Sequence, residues 1–133
     1  MWSEFSKELM LQGEDWAAFR RQYPGIPLVA AGDFNQNLDR ARWYGNPETR
    51  RQLGEALSCA GLTCLTAEDV VATGKLSLNH LIDHICVSSD LTGSFECWEP
   101  IDGEGVRMSD HPGVFARLRS AEPGDSTDRV KNR

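Results

Sequence analysis

Three short polar clusters each follow or precede a short apolar run of this chain: Gly32-Asp33-Phe34-Asn35, Ile82-Asp83-His84-Ile85 and Ser109-Asp110-His111. Carboxylates are hard oxygen ligands, an asparagine amide donates to an anion without adding like charge, and a histidine transfers protons. Together these groups suit phosphate-ester hydrolysis. That reaction needs charge stabilisation on the non-bridging oxygens, an oriented water and help for the leaving oxygen. Asp110 and Asp33 are the candidate ligands for Mg²⁺ or Mn²⁺, or the orienters of a water. Asn35 is the candidate phosphate donor and His111 the proton-transfer group. Asp83 is the candidate acid that fixes the His111 tautomer and supports the imidazolium.

Such clusters must be positioned by strands and helices that the sequence also marks. Residues 2–22 carry Trp2, Phe5, Leu9, Trp16 and Phe19 at roughly helical spacing, with Gly13 a possible break. Tyr23-Pro24-Gly25 is a stop, and residues 26–31 read as a buried strand ending at the first cluster. Asp33 and Asn35 share parity, so an extended backbone would turn them to the same side. Residues 36–46 read as a polar loop holding Arg40, Arg42, Trp43 and Tyr44. The best-marked helix follows, with Asn46 as its cap, Pro47 at its first position, Leu53, Leu57 and Ala60 inward and Gly61 as its stop. Short strands are expected near 62–65, 80–88, 94–98 and 113–118. From Ser120 the chain loses apolar periodicity and reads as a disordered tail, giving one domain over residues 1–119 and a tail over 120–133.

The order and wording of the clusters resemble the carboxyl-terminal half of the endonuclease/exonuclease/phosphatase superfamily, the deoxyribonuclease I-like phosphoesterases. Gly32-Asp33-Phe34-Asn35 is similar to that family's central motif, whose Asp and Asn contact the attacking water and the phosphate. Asp83 matches the family acid paired with the terminal histidine. Ser109-Asp110-His111-Pro112 matches the closing motif, which supplies a metal-associated Asp and the catalytic histidine. The resemblance implies an α/β (α+β) fold that is half of a four-layer α/β/β/α sandwich, with a mostly antiparallel or mixed sheet and two substantial helices. It also implies divalent-metal-dependent hydrolysis of a phosphodiester or phosphomonoester, nucleic acid among the substrates. The family's early metal-ligating Glu and phosphate-contacting Asn have no counterpart before Asp33. The expectation is therefore an incomplete domain, with an apolar sheet face left for a missing half or for self-association.

Composition narrows the alternatives. Of 133 residues, 40% are hydrophobic and 26% charged, as in ordinary globular domains. A net charge of −6 argues against a surface built to grip nucleic acid non-specifically, yet suits carboxylates that a cation neutralises. No run approaches the ~20 apolar residues of a membrane span, and the beginning of the chain lacks a secretory signal's pattern, so cytoplasm is the default compartment. Cys59, Cys64, Cys86 and Cys97 read as free thiols in such a compartment. Cys59 and Cys64 followed by His80 and His84 fit a loose zinc-finger spacing. However, His84 lies in a strand-like run, where residues four apart are ~13 Å apart, too far to share an ion.

Single residues have plainer readings. His84 points away from Asp83 by strand alternation and reads as packing; His80 reads as a surface or strand-entry residue. Arg40 and Arg42 read as solvated surface, and Trp43 and Tyr44 as either a stacking platform or a plug for the loop. A non-catalytic remnant or interaction module that keeps the scaffold is the alternative to the enzyme.

Overall fold

The computed structural model describes residues 2–41 and 43–121, and it is a mixed α+β chain of two helices and two small antiparallel sheets. Helix α1 (Trp2–Gln22) runs unbroken through Gly13. The expected break is absent because Gly13 is buried where α1 crosses helix α2 (Pro47–Cys59); an added Cβ would stand 2.8 Å from the Ala56 Cβ. The glycine thus permits close approach of the helices rather than ending one. Asn46 caps α2, its side chain accepting from the Thr49 N–H at 2.9 Å, with Pro47 opening the first turn. Leu53 and Leu57, one turn apart, are buried along with Ala60 at the helix end.

The first sheet has the order β1–β3–β2, with β1 (Val29–Asp33), β2 (Leu62–Cys64) and β3 (Asp83–Ser88) all antiparallel. Both helices cover one face of it. Leu9, Leu53, Leu57, Ala30, Leu62 and Cys86 form the core between them. The second sheet pairs β4 (Leu91–Trp98) with β5 (Gly113–Ser120) and closes over a smaller core of Val70, Leu76 and Leu81. Ser120 is the last residue of β5, opposite Leu91, so regular structure runs past the expected boundary at 119. The remainder of the expected tail, residues 122–133, lies outside the described residues, as does Arg42.

The polar loop from 36 to 46 keeps Arg40 at the surface but turns other polar side chains inward. Gln36 and Asn37 are fully buried. Asn37 Oδ1 accepts the Tyr44 N–H at 2.8 Å, its amide donates to the Ala41 carbonyl at 2.8 Å, and the Arg50 Nε donates to its carbonyl at 3.0 Å. Buried amides of this kind hold a loop's shape because leaving them unpaired would be costly. Among the described residues, no helix is long and apolar enough to cross a membrane.

Candidate active site

Sheet register brings the first two clusters together: Asp33, at the end of β1, is the direct partner of Asp83, at the start of β3. Gly32, with φ of +149°, occupies backbone space that side-chain-bearing residues avoid. Phe34 then turns inward, meeting Trp16 edge-on at 6.2 Å and the His84 ring at 6.1 Å. The anchored phenyl leaves Asp33 and Asn35 outside. Asn35 does not continue the strand. Its φ is +57°, and its N–H donates to Asp33 Oδ1 at 2.7 Å, forming an Asx turn in place of the expected extended parity.

The third cluster arrives from the loop before β5. Ser109 Oγ accepts the His111 N–H at 3.1 Å, and Arg107 donates to the Ser109 carbonyl at 2.9 Å and the Asp110 carbonyl at 3.2 Å. Arg107 was invisible as a functional candidate in the sequence, since nothing in a Gly- and Asp-containing loop distinguishes a clamp from a solvated cation. His111 Nδ1 lies 2.9 Å from Asp83 Oδ2 and 4.0 Å from Asp33 Oδ2. Its Nε2 has Asp110 Oδ2 at 3.7 Å and no hydrogen-bond partner among the described residues. No family model, curated protein or solved structure matches this chain. The chemistry of the site therefore rests on its geometry.

Asp33, Asp83 and His111 each bring one ligand atom within 4.8 Å of the others. Asp110, 86% exposed, stands outside that compact group on the Nε2 side of the ring. Asp33 uses Oδ1 in the Asx turn and leaves Oδ2 open, and the Asp110 carboxylate faces solvent. This oxygen-rich donor set fits a hard divalent cation that keeps most of its waters. Two cavities flank the imidazole. One, of about 340 Å³, is bordered by Asn35, Trp43, Tyr44, Arg107 and Asp110. The other, of about 590 Å³, reaches from Asp83 to Trp98, Ile101 and Met108.

The remaining histidines are placed differently. His84 is buried on the helix-covered face, as strand alternation requires, with Nδ1 2.9 Å from Thr66 Oγ1 and Nε2 2.9 Å from the Gln36 carbonyl. His80 is not a surface residue: its side chain is 11% exposed, 3.0 Å from Asp39 Oδ2, and its ring faces Trp43 at 5.3 Å.

Proposed function

We propose that this chain is the carboxyl-terminal half of a deoxyribonuclease I-like phosphoesterase, half of a four-layer α/β/β/α sandwich, and that it serves divalent-metal-dependent hydrolysis of phosphate esters. The observation that carries this reading is the His111 imidazole, held at Nδ1 by Asp83 while Nε2 stays open between two cavities. With Nδ1–H donated to Asp83, the lone pair on Nε2 is available to take a proton from water or, once charged, to return it to a leaving oxygen. Asp83 stabilises the imidazolium that forms in between. Asp33 Oδ2, open toward the ring, orients the attacking water. The Asn35 amide borders the smaller cavity and donates to a non-bridging oxygen. Mg²⁺ or Mn²⁺, held by Asp33 and Asp110 with water, would neutralise charge on the phosphate.

Hydrolysis of a bis-aryl phosphodiester, followed with added Mg²⁺ or Mn²⁺ and with chelator, tests the assignment. Turnover should be slow and climb with metal concentration, because Asp33 and Asp110 with water are a weak hold on a cation that gives up its waters reluctantly. Chelator should abolish it. Asp33→Ala should remove the metal response. Turnover indifferent to chelator, or unchanged in His111→Ala, would overturn the proposal.

A second reading, an interaction module, draws on a separate observation. Trp98, Ile101 and Met108, all more than half exposed, border the larger cavity beside the imidazole. Surfaces of this kind mark interfaces. Concentration-dependent association without metal-dependent turnover would favour this reading, with a complementary half-domain or a second copy as the partner.

A further inference from the structure

Away from the histidine site, two cysteines face each other across the first sheet. Cys64 of β2 and Cys86 of β3 are direct register partners. The neighbouring Leu65 N–H donates to the Ile85 carbonyl at 2.9 Å. In an antiparallel ladder, hydrogen-bonded and non-hydrogen-bonded pairs alternate, so Cys64 and Cys86 form a non-hydrogen-bonded pair. Such pairs have Cα atoms ~4.5 Å apart and side chains on one face. Disulfides take Cα separations of ~4.4–6.8 Å. The backbone therefore already stands at a bridging distance.

We infer that Cys64 and Cys86 are a reversible dithiol–disulfide site, oxidised by a peroxide, that fastens the edge strand β2 to the centre of the sheet.

The two thiols have unequal surroundings, which divides the labour between them. Cys86 is fully buried in the core under the helices, whereas Cys64 is half-buried on an edge strand. The Cys86 thiol hydrogen-bonds to Cys64 and holds the Cys64 thiol well below the ordinary range; His84 and Thr66 add to the effect against burial. Thr66 Oγ1 sits 3.4 Å from Cys64 Sγ. The same contact pushes the Cys86 thiol up, with burial second. One thiolate and one thiol sharing a proton is the arrangement for attack by the first and resolution by the second.

Cys64 thiolate attacks one oxygen of hydrogen peroxide. The S–O bond forms, the O–O bond breaks, and hydroxide leaves to be protonated as water. The Cys86 sulfur then attacks Cys64 sulfur: the S–S bond forms, the S–O bond breaks, and the departing hydroxide takes the Cys86 proton as a second water. Two thiols are oxidised and one peroxide is reduced. The other cysteines stand apart from the pair, Cys59 exposed on α2 and Cys97 in β4 with its thiol raised by burial, and the variant below removes both.

The test is peroxide treatment of the folded chain, alkylation, and peptide mapping, on the wild type and on a Cys59→Ser/Cys97→Ser variant that retains the pair. Expected is a Cys64–Cys86 crosslink, an intact mass lower by two hydrogens, and full return of both thiols with reductant. In Cys86→Ser the reaction should stop at a Cys64 sulfenic acid that a 1,3-diketone traps. A Cys64 carried to sulfinic acid while Cys86 stays alkylatable after unfolding would overturn the proposal. So would a crosslink only between chains, or no loss of alkylatable thiol from the pair. The wild-type map decides the matter even if the variants fold poorly.

Discussion

The molecule holds two aspartate–histidine pairs of nearly equal geometry and opposite character. Asp83 Oδ2 lies 2.9 Å from His111 Nδ1, and Asp39 Oδ2 lies 3.0 Å from His80 Nδ1. The distance does not separate them. The remaining valences do. Asp39 is buried, and its Oδ1 accepts from the Asn37 amide at 2.8 Å and the Ala41 N–H at 2.7 Å. His80 is closed in by Trp43, with Asp69 Oδ1 at 3.6 Å. Asp69 in turn accepts two backbone N–H groups from its own turn. Three ligand atoms converge there, but their lone pairs already serve the loop. At the other pair, side-chain exposure is 28% for Asp83 and 30% for His111, and Nε2, Asp33 Oδ2 and the Asp110 carboxylate meet only at 3.7 Å or more, with no hydrogen bond among the described residues. A reactive group is recognised by the bonds it has not made.

The widest separation of the two pairs should come from activity. If the proposed chemistry is right, His111→Ala lowers metal-dependent phosphodiester turnover by ~10²–10⁴-fold, the usual worth of a positioned proton-transfer group. His80 also borders the smaller cavity but holds none of the reacting groups, so His80→Ala should lower turnover per folded molecule far less than His111→Ala does. Rates normalised to the folded fraction check this. Equal losses in both variants would erase the functional distinction and mark the pairs as two structural supports.

Stability should reverse the ranking, and the third histidine sets its scale. His84 is the most enclosed of the three, with both ring nitrogens bonded. His84→Ala leaves the Gln36 carbonyl without that donor and opens a cavity against Phe34, so unfolding free energy should fall by about 3 kcal/mol in denaturant melts. His80→Ala strands the buried Asp39 carboxylate with one partner fewer and should lower stability by about 2 kcal/mol. His111→Ala should fall within about 0.5 kcal/mol of the parent, as for other part-exposed pairs. A destabilisation by His111→Ala as large as that by His80→Ala would show that both pairs hold the fold.

The contact between Asp83 and His111 was legible because an acid within an apolar run is costly to bury alone and because the family resemblance pairs the two residues. Helix α2 was legible for a different reason: cap, first-turn proline and inward leucines act locally. Three features were not. Gly13 reads as a helix breaker until the partner helix is known, since only tertiary contact reveals that a side chain would collide there. Asn35 reads as extended backbone just past a strand, but its own N–H prefers the neighbouring carboxylate to extension. His80 and Asp39, 41 positions apart, have no common period, and the buried amides of Gln36 and Asn37 that bring Asp39 inward look like loop polarity in the sequence. Periodicity reports what an element does alone; closure of an irregular loop is a long-range event.

The smallest effect carries the sharpest sign. Asp33 and Asp83 are directly opposed in the β1–β3 register, and like charges so placed destabilise a sheet. Asp39 has no such burden, since N–H donors surround it. Asp33→Asn keeps the side-chain shape, and its amide oxygen can still accept the Asn35 N–H that forms the turn. In metal-free alkaline buffer the variant should therefore be more stable than the parent by about 0.5 kcal/mol, the size of an ordinary cross-strand side-chain term. Adding Mg²⁺ should close or invert that gap, because an ion that binds only the folded parent stabilises it by mass action and has lost a ligand in the variant. Paired denaturant melts with Mg²⁺ and with chelator give both numbers. A variant less stable than its parent without metal would place Asp33 beside Asp39 as a scaffold acid. A gap that ignores Mg²⁺ would remove Asp33 from the metal-holding group.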